Sequence, residues 1–319
     1  MSEAEEIFCD ARPDCRASFV LRLREPARRL LHLPGLRALR PIGRRLLSVS
    51  EPVGRALMRR RPVRFRRSSE VVTVLSANLW HDWPRHRRLT ERLEALARLI
   101  EAEAVDVALL QEVARTPDVR ADEWLAERLG MAYIYTRANG HEAGLGFEEG
   151  LAIFSRFALA GPRVRQLEPT PTPFVHRVGL GADVQTPSGP LATYSVHLGI
   201  LPRQNAAQLD SLRRWVGAGS RGRTALIGGD FNAHENSPQI VRAQRIWLDV
   251  FRHLHPDSDG STHELRWPWG SRLRRSRLDY LFLQPGDQRW RVLEAGHLDG
   301  PVGPHSDHLA VLARLAPEA

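Results

Sequence analysis

Short apolar runs rich in β-branched residues recur along the chain from Val71 onward, and several stop at an acid, an amide or a histidine. Val71-Val72-Thr73-Val74-Leu75 leads to Asn78, Val105 to Leu110 leads to Gln111-Glu112, and Leu191 to Val196 leads to His197. Thr224-Ala225-Leu226-Ile227 is broken by Gly228-Gly229 and followed by Asp230 and Asn232. Runs this short read as buried strands. Polar residues just beyond a buried strand lie at the lip of a sheet, where α/β folds build their sites. Taken singly, each reads equally well as a turn former, since Asp and Asn favour turns for local reasons. What separates the two readings is how many run ends share the pattern.

Helix-period segments lie between the runs: Leu89 to Ala104, with Leu93, Leu96, Ala97 and Ile100 on one face, then Ala121 to Leu129 and Arg203 to Val216. Further strands are expected at Ala132–Tyr135, Leu151–Phe154, Val175–Val184, Leu278–Leu283, Trp290–Leu293 and Leu309–Leu315. A glycine-rich loop, Gly140 to Gly146, leads to Glu149-Gly150 before the second of these. Residues 236–277 read as irregular, with a short helix near Gln239 to Arg245 and an arginine-rich loop at Arg272, Arg274, Arg275 and Arg277. No repeat and no linker follows residue 70. Residues 70–319 are therefore expected to form one α/β domain, of a length that a single core can still serve.

The charge is unevenly placed. The formal balance is +9 and all 46 basic residues are arginine. Residues 1–68 hold 17 Arg against 7 acids, leaving the rest of the chain at −1. The basic character thus belongs to residues 1–69, an Arg/Pro-rich N-terminal extension cut by Pro13, Pro26, Pro34, Pro41, Pro52 and Pro62. It reads as a partly disordered arm or as short amphipathic Arg/Leu helices that would contact anionic membranes or nucleic acid. No apolar run reaches the ~18 residues that span a bilayer, and the acidic start lacks the order of a secretory signal. The two cysteines, Cys9 and Cys15, cannot staple the body. A cytoplasmic monomer, peripheral at the membrane if the arm docks there, is the expectation.

Asn78, Glu112, Glu149, His197, Asp230 with Asn232, Asp279, and Asp307 with His308 all fall at or beside a strand end. The set contains carboxylates, amides and two histidines, and no nucleophilic Ser or Cys. Oxygen donors without thiolates favour a hard cation such as Mg²⁺, with Mn²⁺ as a substitute. Histidines and amides can hold a phosphoryl group while an acid aligns a water for in-line attack. A buried Asp279 needs a partner, and His308 can supply it. The nucleophile-elbow and P-loop motifs are absent.

The ordered series Asn78-Leu79-Trp80, Gln111-Glu112, Glu149-Gly150-Leu151-Ala152-Ile153-Phe154-Ser155-Arg156, Val196-His197-Leu198, Gly229-Asp230-Phe231-Asn232, Leu278-Asp279-Tyr280 and Ser306-Asp307-His308 resembles the endonuclease/exonuclease/phosphatase superfamily over about residues 70–315. The resemblance implies a four-layer α/β sandwich of two packed, mostly antiparallel sheets flanked by helices. It implies Glu112 as the main Mg²⁺ ligand, with Asn78 and Asp307 on the metal side. Asp230 would activate the water. Asn78, Asn232, His197 and His308 would bind the phosphate, Asp279 would hold His308, and Glu149 would orient His197. The abasic-site endonucleases carry a tyrosine where His197 stands, which points away from that branch. Trp80 replaces an acid found in some nucleases, which favours one metal.

These readings imply a Mg²⁺-dependent phosphodiesterase. Its substrate would be a nucleic acid or, as in sphingomyelinase-like members, a phospholipid or small phosphoester. An inactive phosphate-binding module is the alternative from another class.

Overall fold

The computed structural model describes residues 5–8, 55–60, 70–169, 175–267 and 269–318. Sixteen strands are described, in chain order. β1 is Glu5–Phe8, β2 Arg55–Arg59, β3 Val72–Asn78, β4 Val107–Arg115, β5 Ala132–His141, β6 Phe147–Ser155, β7 Ala158–Gln166 and β8 Val178–Thr186. β9 is Gly189–His197, β10 Ala225–Asp230, β11 Leu248–Asp249, β12 His263–Arg266, β13 Arg272–Ser276, β14 Asp279–Gln284, β15 Trp290–Leu298 and β16 Ala310–Pro317. The helices are α1 (Leu89–Ala102), α2 (Ala121–Leu129), α3 (Glu142–Leu145), α4 (Pro202–Ser220), α5 (Pro238–Gln244) and α6 (Val250–Leu254).

The strands form an eight-stranded sheet, β1-β2-β5-β6-β4-β3-β16-β15, and a six-stranded sheet, β11-β14-β10-β9-β8-β7. Among the described strands, only β3–β4 and β9–β10 pair in parallel. The two-residue period of a strand sorts the side chains into layers. On β3, Val72 and Val74 face the second sheet, while Leu75 and Ala77 face α1 and α2. On β10, Leu226 faces the first sheet and Ala225 and Ile227 pack beneath α4 and α5. Helices, sheet, sheet and helices make the four-layer sandwich.

The inward rows start apolar and end polar. Val72 and Val74 give way to Ser76 and Asn78, Val107 and Leu109 to Gln111, and Leu191 to Thr193, Ser195 and His197. Gln111 Nε2 donates across the gap to Ser195 Oγ at 3.0 Å, and that hydroxyl donates to the Leu110 carbonyl at 3.0 Å. The core therefore closes at one end on a polar seam, and the site opens beyond it.

Several expectations need correction. Gly228 and Gly229 do not break β10 but lie inside it. A Cβ on Gly229 would stand 2.0 Å from the Val196 carbonyl oxygen, so the neighbouring strand needs the missing side chain. The glycine-rich loop is shorter than expected, because β5 runs on to His141 and β6 starts at Phe147. β7, an edge strand of mixed exposure, has no apolar run to announce it. Inside the expected arm, Arg55–Arg59 is a strand paired with β5, with Ala56 and Met58 buried in the inter-sheet core. Most of residues 1–69 lies outside the described residues.

The arginine-rich loop is a hairpin, β12–β13, standing apart from both large sheets. Arg277 does not belong to its surface. It is 1% exposed and forks onto Asp249 at 2.6 and 2.8 Å, with Glu235 at 3.4 Å.

Candidate functional site

At the polar end of the inter-sheet core lies a cavity of about 380 Å³ whose walls include Glu112, Glu149, Arg177, His197, Asp230, Asn232, His263 and His308. Register places two cavity residues and a buried acid behind them side by side. Asp230 on β10 stands opposite His197 on β9 and Asp279 on β14.

Glu112 arrives by a different device. The β4–β6 pairing slips between Leu110 and Val113, and Glu112 takes a left-handed φ of 53°. Such a bulge re-aims one side chain out of the alternation of its strand, at a backbone cost that a non-glycine residue rarely carries. Glu112 is thus inside β4, not beyond its end, and faces the cavity instead of a sheet face.

Asn78 joins the two halves of the site. Its Nδ2 donates to Glu112 Oε1 at 3.1 Å and to Asp230 Oδ2 at 3.1 Å, while its Oδ1 accepts from Trp80 N–H at 2.9 Å. The His81 N–H donates to Glu112 Oε2 at 3.0 Å. Asn232, at φ 49°, gives its backbone N–H to Asp230 Oδ1 at 2.8 Å. Its amide nitrogen donates to the Leu198 carbonyl at 3.0 Å and to Asp230 Oδ2 at 3.2 Å. Both amides therefore spend their two hydrogens on protein acceptors. In this arrangement Asn78 and Asn232 orient Glu112 and Asp230.

Asp279 and His308 meet as expected, with Nδ1 and Oδ2 2.8 Å apart. Thr262 Oγ1 donates to the same Oδ2 at 2.6 Å. Burial opposes a charge on His308, but Asp279, Asp230 and Asp307 outweigh it and push its pKa up to about 10. His308 is an imidazolium at neutral pH. His197 is the opposite case: burial, aided by the cation of Arg177, holds it well below the usual histidine range and so neutral. Its Nε2 lies 3.5 Å from Asp230 Oδ2. Burial, with the Asp279 charge next, pushes Asp230 up to about 7, in the working range of a general base.

Glu149 lines the same cavity as His197, and its hydrogen-bond partner is the Asn139 amide, which accepts in turn from the His176 N–H at 2.7 Å. Glu149 Oε2 is buried without a hydrogen bond. Burial and the nearby Glu112 both raise the pKa of this carboxyl. Glu112, Glu149 and Asp230 all line the cavity. Carboxylate oxygens are the donors a hard divalent cation takes, and Glu149 Oε2 is without a hydrogen bond. Asp307, expected as a metal-side ligand, is exposed and groups with His263 and His308.

Three cavity residues had no signal in the sequence. Arg177 falls inside the strand expected at Val175–Val184 but lies just before β8, which starts at Val178, and its Nε is buried without a hydrogen bond. His81 and His263 sit in loops or at a hairpin root, where no apolar run marks them.

Residues 75–308 match the model of the Endonuclease/Exonuclease/phosphatase family. Comparison with curated proteins finds no match. Among solved structures, the endonuclease/exonuclease/phosphatase from Beutenbergia cavernae aligns with a TM-score of 0.59 and 22% identity, over 78% of this chain and 72% of that one. The humanized D. rerio TDP2 aligns with a TM-score of 0.62 and 17% identity, over 77% and 99% of the two chains. The human Nocturnin catalytic domain with bound sulfate aligns with a TM-score of 0.61 and 19% identity, over 78% and 95%. These likenesses show a common fold, and the motif-bearing span from β3 to His308 shows the family: the chain belongs to the endonuclease/exonuclease/phosphatase family.

Proposed function

We propose that the chain is a Mg²⁺-dependent phosphodiesterase that works by in-line attack of water. The observation that carries this reading is the pair of opposite charges gathered on one cavity. A neutral-range carboxylate, Asp230, faces an imidazolium, His308, whose charge Asp279 maintains. A base that can take a proton from water and a cation that can meet the developing phosphoryl charge are what hydrolysis needs from side chains.

Glu112 would hold Mg²⁺, steadied by Asn78, with Glu149 as a second carboxylate of the same cavity. When bound, the ion would supply charge stabilisation to the phosphoryl oxygens. Asp230 accepts the proton of the attacking water, with Asn78 and Asn232 fixing its two oxygens. His308 donates its second ring hydrogen toward the phosphoryl group. Arg177 and neutral His197 complete the polar wall around that group.

The apolar rim favours a substrate that carries an apolar or aromatic group beside its phosphate. Trp83 and Ile200 line the cavity while 57% and 69% exposed, and Phe147 and Val175 stand with them. The body beyond residue 68 has a net charge of −1, so its exposed arginines are confined to local groups such as β13 and give no net attraction for a nucleic acid. A phospholipid or aromatic phosphodiester is therefore placed ahead of DNA or RNA. A panel of sphingomyelin and phosphatidylcholine vesicles, single- and double-stranded DNA, RNA and an aromatic phosphodiester, each with Mg²⁺ and with chelator, tests both parts. Preferred turnover of DNA with a steep salt dependence would reverse the substrate order, and no Mg²⁺-dependent turnover would remove the reading.

A further inference from the structure

We infer that His263, Asp307 and His308 form a binding site for a borderline transition metal such as Zn²⁺, and that its occupation withdraws His308 from the phosphate. One ligand atom from each residue falls within 4.8 Å of the other two. Two imidazoles and one carboxylate suit Zn²⁺, whereas Mg²⁺ prefers oxygen alone. His263 and His308 line the same cavity as Glu112, but among the described residues no such group includes Glu112, and His308 is shared with the Asp230–Asp279 group.

The backbone holds the three residues in register. His263 forms an isolated antiparallel bridge with His308, and the two rings lie 4.5 Å apart. Thr262 N–H donates to the Ser276 carbonyl at 3.0 Å, and Leu309 N–H donates to the Thr262 carbonyl at 2.7 Å. The hairpin root and the start of β16 are therefore tied on both sides of the histidine pair.

The surroundings of His308 are those of a metal-ligating histidine. Its Nδ1 is bound to Asp279, and Asp279 is held by Thr262 Oγ1. A carboxylate on one ring nitrogen orients the ring and raises the basicity of the other nitrogen, whose proton an incoming metal displaces to solvent. His263 is half-buried and Asp307 exposed, so solvent reaches the site and can complete a four-coordinate shell. Because Nε2 of His308 is also the nitrogen left for the substrate, a metal there removes the donor that would meet the phosphoryl oxygen. Metal binding stands on the geometry alone; its effect on turnover rests on the phosphodiesterase reading.

Co²⁺ added to the full-length, metal-free protein is the direct probe. Nitrogen-bound Co²⁺ of low coordination number absorbs strongly in the visible, while an oxygen-bound octahedral ion at Glu112 absorbs weakly. One equivalent of Co²⁺ should raise visible bands that Zn²⁺ displaces and that Glu112→Gln retains. His263→Ala should abolish them, and Asp307→Asn, a change at an exposed side chain, should weaken binding at least tenfold. Absence of the bands, or bands kept by His263→Ala and lost in Glu112→Gln, would overturn the site. In the presence of excess Mg²⁺, one equivalent of Zn²⁺ should slow phosphodiester turnover at least tenfold in the wild type and less in Asp307→Asn. Unchanged turnover with Zn²⁺ bound would overturn the withdrawal of His308. If no form turns over a phosphodiester while the bands behave as stated, it is the phosphodiesterase reading that fails and not the site.

Discussion

Asp279 Oδ2 and His308 Nδ1, 29 residues apart in the chain, meet at 2.8 Å at the polar end of the inter-sheet core, beside the cavity. β14 delivers the acid from one sheet, and the segment entering β16 delivers the histidine from the other. The pair therefore records both the packing of the sandwich and the charge state of its site.

Asp279→Asn keeps the shape and removes the charge. His308 then loses the group that makes it an imidazolium, and the buried cation loses its counterion. Turnover should fall by about 10²-fold or more, chiefly in kcat, and stability should fall by roughly 3 kcal/mol. Steady-state kinetics and urea unfolding measure the two separately. A variant that loses stability but keeps kcat would confine Asp279 to a structural role.

The pH dependence has two parts with opposite signs. Asp230, pushed up to about 7, must be ionised to accept a proton, so kcat/KM should rise with pH through a midpoint near 7. For stability, His308 has a folded pKa near 10 against an ordinary 6.5. Its contribution is fully present below about pH 6.5 and is lost as pH rises through 10. Metal-free protein should therefore unfold at lower urea at pH 10 than at pH 7, and His308→Asn should flatten that difference.

Gly229→Ala tests how tightly β9 and β10 approach. The new methyl would lie 2.0 Å from the Val196 carbonyl oxygen, a backbone atom that cannot turn aside. A loss of about 3 kcal/mol or more is expected, seen as a lower thermal midpoint. Because Asp230 follows directly, the folded fraction should also lose activity.

Arg277→Met separates a buried ion pair from a surface patch. Arg277 forks onto Asp249 within the core, and leaving that carboxylate without its guanidinium, though still held by Gln244 and the Arg252 N–H, should cost about 3 kcal/mol. Arg274→Ala, on the exposed face of β13, should leave stability unchanged. Denaturant midpoints of the two variants check this directly.

Much of this was legible because buried strands announce themselves. The runs ending at Asn78, His197 and Asp230 showed both the strands and the site, since the inward rows of a sandwich must turn polar where the core opens. β7 and the β12–β13 hairpin were not legible, because edge and exposed strands carry no uninterrupted apolar run. Glu112 was found by its position, but the bulge that aims it leaves no trace in composition. Arg277 looked like its exposed neighbours, since nothing local distinguishes a guanidinium whose carboxylates come from Asp249 and Glu235. Arg177 and His263 were missed for the same reason: tertiary contact alone brings them to the cavity.

The most direct measurement is hydrolysis of an aromatic phosphodiester across a Mg²⁺ titration, by the wild type, Glu112→Gln and Asp230→Asn. Wild-type turnover should appear with Mg²⁺ and vanish with chelator. Glu112→Gln should need far more Mg²⁺, and Asp230→Asn should lose at least ~10²-fold in kcat at every Mg²⁺ concentration. Wild-type turnover that persists in chelator, or full activity in both variants, would contradict the account.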